Sequence, residues 1–435
     1  MNFIGIDIGT STISCVIYDP LSKKTDYKTI INDTLIQSPE EWEKSQNPVK
    51  ITDIIEKILH KYLEQYNDIK GIGITGQMHG ILYVDEYGNA ISPLYTWQDV
   101  RGNLIYKDNK TYAEFLSEMT GYKLATGYGL VTHFYNKINN LIPPGAKKIC
   151  TIMDYVAMKL SNKKEPVTDY TNGAALGFFD VEKLKFDYPA IEKAGINSSI
   201  IPNTDNSGLC LGYYKNIPIY PAIGDNQAAF IGSVNDKQTS IHITVGTSSQ
   251  ISVYTDKYIA IQGLDTRPFP GGGYILVGAA LCGGQAFSIL KSFFEKTLMM
   301  FSVKDACNQD IYDFMTSITY KDNWYDIPVV KTLFDGTRSC PSERGSISNI
   351  STNNFTPENL VIGFLKGICC ELYDFYDNLP GNIKRDKKNI IGSGNAFKKN
   401  PLLYKAFEEQ FELKMNFSSC REEAAFGACL TSIKI

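Results

Sequence analysis

The sequence predicts an α/β chain with two similarly folded domains, and three observations carry that expectation. Apolar residues alternate over short segments that meet glycine-centred turns, the period of half-buried strands. One such strand, turn and strand pattern recurs in the second half of the chain, where helical and extended patterns also interleave as they do in the first. With 435 residues the chain has room for two or three domains, each with a substantial core.

The elements follow in order. Phe3, Ile4, Ile6 and Ile8 lead to Gly9-Thr10-Ser11-Thr12, and Ile13, Cys15 and Ile17 resume the alternation, which predicts a β-hairpin. A shift of 237 positions (241 − 4) carries Ile4 to Ile241, Ile6 to Ile243, Gly9 to Gly246, Thr10 to Thr247 and Ser11 to Ser248. Strand period and turn recur together, so the domains are placed at 1–232 and 233–435. Ile51, Ile54, Ile55, Ile58, Leu59, Tyr62 and Leu63 have helical spacing and predict an amphipathic helix over 51–66. Residues 71–85 read as a strand, a polar turn at Gly76-Gln77-Met78-His79-Gly80, and a second strand through Ile81, Tyr83 and Asp85. An apolar run over 217–222 precedes Gly224-Asp225-Asn226-Gln227 and a helix containing Ala228, Ala229 and Phe230. In the second half, an apolar run over 274–281 ends at Gly283-Gly284 before a helix over 285–295, and Asn389-Ile390-Ile391 leads through Gly392-Ser393-Gly394-Asn395 to a helix from Pro401. Such glycine junctions let backbone approach a nucleotide closely.

Lys plus Arg number 43 and Asp plus Glu 47, a net charge of −4 spread evenly, which argues against nucleic acid and anionic membrane as partners. The ten cysteines (Cys15, Cys150, Cys210, Cys282, Cys307, Cys340, Cys369, Cys370, Cys420 and Cys429) are scattered without a Cys-x-x-Cys pair, and there are four histidines. This suits thiols in a reducing compartment, not a disulfide framework or a zinc site. The N-terminus has no basic run and carries Asp7 within its apolar stretch, and no window approaches a membrane span, so a cytoplasmic protein is expected.

Five segments carry chemistry. Asp7 stands on a strand just before the Gly9-Thr10-Ser11 turn, where amides and hydroxyls can cradle a phosphate while the acid holds magnesium through water. The second copy, Thr244-Val245-Gly246-Thr247-Ser248, lacks the acid, so the repeat suggests a metal side and a phosphate clamp. Asp225 reads either as a helix cap or as a carboxylate that accepts the proton of an attacking hydroxyl. Thr75-Gly76-Gln77-Met78-His79-Gly80 and Thr96-Trp97-Gln98-Asp99-Val100-Arg101 combine amide, imidazole, indole, carboxylate and guanidinium groups, the mixture that binds vicinal hydroxyls and a C–H face. A structural histidine and a core tryptophan are the bland alternatives.

Together these segments resemble the FGGY carbohydrate kinases of the actin-like ATPase superfamily over essentially the whole chain. Trp97-Gln98-Asp99, Ala125-Thr126-Gly127-Tyr128-Gly129, Asp154-Tyr155-Val156 and Ile391-Gly392-Ser393-Gly394 resemble the sedoheptulokinase branch, whereas Gln77-Met78-His79 is shared with the xylulokinase branch. The resemblance implies two ribonuclease-H-like (actin-like ATPase) domains with an interdomain cleft; because the paired hairpins must converge on one phosphate chain and water must be kept out, closure about a hinge near residue 233 is expected. It implies sugar on the first domain, and ATP with Mg²⁺ mainly on the second. It makes Asp225 the catalytic base and Asp7 the acid near the metal, with Gly9, Thr10 and Ser11 facing the γ-phosphate. Gly246, Thr247, Gly283, Gly284, Gly392, Gly394 and Asn395 then surround the nucleotide, and Gln77, Met78, His79, Trp97 and Asp99 the sugar. The implied reaction is phosphorylation of the terminal hydroxyl of a ketose, sedoheptulose first and xylulose or another sugar as the alternative. The expected partners are small molecules alone, with the chain a monomer or homodimer. The rival from another class is an actin-like nucleotide-binding protein that phosphorylates no sugar.

Overall fold

The first hairpin forms where alternation places it: β1 (Asn2–Ile8) runs antiparallel to β2 (Thr12–Asp19), with Ile8 opposite Ile13. A third strand, β3 (Lys24–Ile31), continues the meander from β2, although its side chains are almost all exposed. It is held by its ladder with β2, which is why apolar alternation gives no sign of it. Helix α1 (Pro48–Gln65) starts where Asn47 accepts hydrogen bonds from the Val49 and Lys50 amides, and it buries Ile51, Ile55, Ile58, Leu59 and Tyr62. The chain then enters β4 (Ile69–Gly76), parallel to β1. Residues Leu82–Val84 form the expected second strand, but it pairs with Lys148–Cys150 and not with β4.

The structure, a computed structural model, describes residues 1–205, 208–301, 308–318, 326–337, 340, 342–418 and 420–433. Cys307 lies outside them, and so does the side chain of Asn395. The chain divides into two units, one of Met1–Gly232, Arg267–Gly273 and Cys420–Ile435, the other of Ser233–Thr266 and Tyr274–Ser419. In the first unit, α2 (Ile152–Leu160) and α3 (Tyr170–Leu176) precede β5 (Ile217–Ile219) and β6 (Ile223–Gly224), which both run parallel to β4. Helix α4 (Asp225–Ser233) follows directly. Ile4, Ile6, Ile13, Ile55, Ile74 and Val156 belong to one core, while residues 81–201 supply a second, aromatic-rich core around Tyr83, Phe134, Phe178 and Phe179.

The second unit repeats the strand order. β7 (Ser240–Val245), β8 (Ser249–Thr255) and β9 (Tyr274–Ala280) make an antiparallel meander. Helices α5 (Gly284–Met300) and α6 (Pro357–Asp377) come next, then β10 (Asn389–Ser393) parallel to β7, α7 (Pro401–Phe411), and β11 (Lys414–Phe417) parallel to β10. The order β9-β8-β7-β10-β11 thus matches β3-β2-β1-β4-β5 in the first unit.

The domain expected at 233–435 loses two pieces to the first unit. The last helix, α8 (Glu423–Thr431), packs on β1 and β4. Gly5 and Gly73 sit opposite each other in that ladder and form a trough. A Cβ on Gly5 would lie 1.9 Å from the Ala425 carbonyl, and one on Gly73 1.9 Å from that of Ala428. Gly427 meets α4 as closely, its missing Cβ 1.8 Å from the Ala228 carbonyl. The second piece is Arg267–Gly273, where Gln227 Nε2 donates to the Pro268 carbonyl at 2.9 Å and Phe269 meets Phe230 edge-on.

No helix among the described residues is long and apolar enough to cross a membrane, and the cysteines among them are all free thiols.

Candidate active site

Asp7 lies near the end of β1, next to Thr75 of β4 and Ser14 of β2, and is partly exposed. Burial, then the charges of Asp225 and Glu422, push its carboxyl up to about 7. Asp225 opens α4, and burial raises it to about 6 against the opposing pull of Arg267 and a hydrogen bond from the Asn226 backbone. Asp7 and Asp225 are therefore neighbours in space despite a separation of 218 positions (225 − 7). Glu422, just before α8, is a third acid in their field and accepts from Thr29 Oγ1 at 2.9 Å. Nothing in the sequence marks it, because only the return of α8 brings it there.

Burial is the larger part of what raises Asp7, and the repulsion from Asp225 and Glu422 that adds to it is the kind of penalty a divalent cation relieves, so this residue fits a magnesium site. Among the described residues no group of three or more His, Cys, Asp or Glu side chains is arranged to cage a metal. Mg²⁺ at Asp7 would take most of its shell from water and phosphate oxygens, which is its usual habit.

The Gly9-Thr10-Ser11 turn is tied to Trp97, Gln77 and Gln46 by a closed set of hydrogen bonds. Trp97 Nε1 donates to Thr10 Oγ1 at 2.9 Å, and Thr10 Oγ1 donates to Gln77 Oε1 at 3.2 Å. Gln77 Nε2 donates to Gln46 Oε1 at 2.7 Å, and Gln46 Nε2 returns to the Thr10 carbonyl at 2.8 Å. Gln46 and Gln77 are buried, Ser11 is exposed, and the Trp97 indole is 47% exposed. The Thr10 hydroxyl proton is thus committed to Gln77, which leaves Ser11 as the more open hydroxyl of this turn. Gln46 was not marked by any motif, since a lone glutamine in a polar stretch carries no pattern.

His79 has a φ of 74°, an uncommon left-handed conformation for a non-glycine residue. Its Nδ1 lies 2.8 Å from the Ala175 carbonyl, an acceptor only, so Nδ1 carries the proton. The ring is 4.8 Å from that of Tyr128, and the missing Cβ of Gly127 points within 2.5 Å of the Trp97 carbonyl. The 125–129 segment therefore backs both His79 and Trp97. Met78 is buried, and its thioether occupies the space that a side chain on Gly224 would need.

Asp99 corrects the expectation of a sugar ligand. It is fully buried, and Arg101, 1% exposed, donates through Nε to Oδ1 at 2.7 Å and through a terminal nitrogen to Oδ2 at 2.9 Å. The Arg101 and Lys44 backbone amides take further lone pairs. Arg101 also bonds Asn136 and Glu43, and its guanidinium lies 4.2 Å from the Tyr95 ring centroid. A carboxylate enclosed and occupied in this way positions the Trp97 turn and the strand bearing Gln46; it does not face a ligand.

In the second unit, the expected glycine turns converge. Gly283 and Gln285 donate backbone hydrogen bonds to the Thr247 carbonyl, and Gly284 donates to that of Gly246. Gly394 has a φ of 93°, and a Cβ there would meet the Val245 carbonyl at 2.4 Å. Beneath them Ser393 Oγ lies 2.8 Å from Thr244 Oγ1 and 3.0 Å from His242 Nε2. Gly246 and Thr247 are exposed at the tip, and Asn395 opens the helix just after Gly394. Gly392 departs from the expectation: it lies inside β10, and Met415 fills the space above it, so it serves packing and not the turn.

Two α/β units with a common strand order, each presenting a hydroxyl-bearing hairpin turn, define a protein of the ribonuclease-H-like, actin-like ATPase fold. Solved structures share it along the chain: xylulose kinase from Rhodospirillum rubrum (TM-score 0.82, 16% identity, 99% of this chain and 89% of that one) and Plasmodium falciparum glycerol kinase with ADP (0.78, 20%, 99% and 88%). Mouse sedoheptulokinase is 23% identical over 99% of this chain and 97% of its own length. The model of the FGGY family of carbohydrate kinases, N-terminal domain, matches residues 2–241, and the chain belongs to that family. It is accordingly a phosphotransferase acting on a carbohydrate, and the non-catalytic actin-like alternative is set aside.

Proposed function

We propose that the chain is an ATP- and Mg²⁺-dependent ketose kinase with Asp225 as its general base. The observation that carries this reading is the Asp225 carboxyl itself, fixed at the start of α4 and raised to about 6 by burial. A base with that affinity is still mostly ionised at pH 7 yet takes a proton more readily than an ordinary aspartate. As the terminal hydroxyl oxygen bonds to the γ-phosphorus, its proton passes to Asp225 and the phosphorus–oxygen bond to ADP breaks. Gln77, His79 and Trp97 orient the sugar. Gly246, Thr247, Gly283, Gly284, Gly394 and Asn395 hold the nucleotide, while Gly9, Thr10 and Ser11 meet the transferred group. Magnesium, when bound beside Asp7, neutralises phosphate charge. Phosphoryl transfer asks for positioning and charge stabilisation above all, and turns, glycines and carboxylates supply both.

Sedoheptulose is the favoured substrate, on the Trp97-Gln98-Asp99 and 125–129 segments together with the likeness to mouse sedoheptulokinase. D-Xylulose is the second reading, favoured by Gln77-Met78-His79. A pocket built for two further carbinol units leaves polar groups unpaired when the shorter sugar binds, at about 1 to 3 kcal/mol each. Specificity constants for both sugars, measured side by side in a coupled ADP assay, test this. A preference for sedoheptulose of tenfold or more is expected. A preference for D-xylulose overturns the substrate, and no ADP release with any ketose overturns the ketose kinase.

A further inference from the structure

The three residues ahead of Asp225 are each held by a side chain from elsewhere in the first unit. Asn172 Nδ2 donates to the Ala222 carbonyl at 2.8 Å, Thr75 Oγ1 donates to the Ile223 carbonyl at 2.8 Å, and the Gly224 N–H donates to Thr171 Oγ1 at 2.9 Å. Two of the three come from the first turn of α3, whose cap is Asp169. Asp169 Oδ1 accepts from the Thr171 backbone N–H at 2.9 Å and from the Thr171 hydroxyl at 2.6 Å. The hydroxyl proton is thereby fixed on Asp169, and the oxygen lone pairs are turned to Gly224. Asn172 also reaches Asp154 Oδ1 at 3.4 Å, and Thr168 Oγ1 donates to Asp154 Oδ2 at 2.9 Å. Asp154, Asp169, Thr171 and Asn172 are all buried.

Helix capping accounts for the bond from the Thr171 amide to Asp169. It does not account for the reach of Thr171 to Gly224 or of Asn172 to Ala222. Gly224 cannot brace the chain itself, because a side chain there would fall 2.6 Å from Gln227 Oε1 and within 2.9 Å of the Met78 thioether. The bracing is supplied from α3 instead.

We infer that Asp169, Thr171 and Asn172 are positioning residues that lock backbone 222–224 and so aim the Asp225 carboxylate at the sugar hydroxyl, with Thr171 as the central link. This rests on Asp225 being the base. A misplacement of about 1 Å at a reacting group costs on the order of 100-fold in rate, which sets the scale of what the cradle protects.

Thr171→Val removes the hydroxyl at nearly constant size and leaves the Gly224 N–H without its acceptor, whereas Thr171→Ser keeps the oxygen. Hydrogen exchange of a peptide spanning 222–226 and steady-state kinetics are compared for wild type and both variants. In Thr171→Val, kcat is expected to fall about 10- to 100-fold. KM for sugar and ATP should stay within about threefold, and exchange should quicken at 222–226 while other peptides of the first unit keep their protection. Thr171→Ser should restore both readouts. A Thr171→Val enzyme with kcat within threefold of wild type, unchanged exchange at 222–226, or exchange lost across the whole first unit each overturns the cradle. A wild-type protein inactive toward every ketose sinks the functional reading instead, and the exchange comparison then decides the cradle alone.

Discussion

Replacing Asp225 by asparagine should separate catalysis from stability. In the folded protein the carboxyl titrates near about 6, against 3.8 for an ordinary aspartate. At 1.36 kcal/mol for each tenfold change in proton affinity, keeping it ionised at neutral pH costs the fold at most about 3 kcal/mol. The sign follows from proton binding. Between pH 3.8 and about 6 the folded chain holds a proton that the unfolded chain has released, so wild-type stability falls as pH rises through that window. The penalty is complete above it and absent below. Asparagine has nothing to ionise and keeps the size and the capping ability. Asp225→Asn should therefore be more stable than wild type at pH 8 by up to about 3 kcal/mol, with the difference fading below about pH 4. Its turnover should fall by about 10² to 10⁴, and wild-type kcat/KM should decline as pH drops through about 6. Chemical denaturation at pH 4 and pH 8 beside a coupled ADP assay measures both. Turnover within a few-fold of wild type refutes the base assignment; a variant less stable than wild type at pH 8 refutes the burial argument.

Gly427→Ala would put a methyl 1.8 Å from the Ala228 carbonyl, so α8 and α4 must move apart; a loss of about 1 to 3 kcal/mol or more is expected in denaturant melts, and an unchanged melt would contradict the close approach. Arg101→Leu strands the enclosed Asp99 charge and should cost about 3 to 5 kcal/mol, with Asp99→Asn in the same chain recovering part of it; strict additivity of the two would disprove their coupling. Asp7→Asn should raise the Mg²⁺ concentration needed for half-maximal activity while sugar binding by calorimetry stays the same, and superimposable Mg²⁺ curves would remove the metal role from Asp7.

Much of the candidate site is legible in the sequence because its parts are local. Asp7 and Gly9-Thr10-Ser11 announce themselves as a strand end and a turn, and the 237-residue repeat (241 − 4) is visible because both hairpins share the alternation. Trp97 and His79 stood out as residue types suited to polyols, whichever neighbours the fold gave them. Asp99 is equally suited by residue type, but its burial and the two-pronged grip of Arg101 depend on packing from residues 43 to 136, which no local pattern shows.

By itself, then, the sequence determined the α/β class, the paired hairpins, α1 and the family, all of which rest on periods and motifs a few residues long. Only the tertiary structure decided that the last helix returns to lie in the Gly5 and Gly73 trough, that Glu422 enters the field of Asp7, that Gln46 closes the ring through Thr10, and that α3 holds the Ala222 and Gly224 backbone just ahead of Asp225. Each of these joins residues separated by tens to hundreds of positions, and each is set by which backbones can approach and which buried polar groups must find partners. Neither condition leaves a local pattern along the chain.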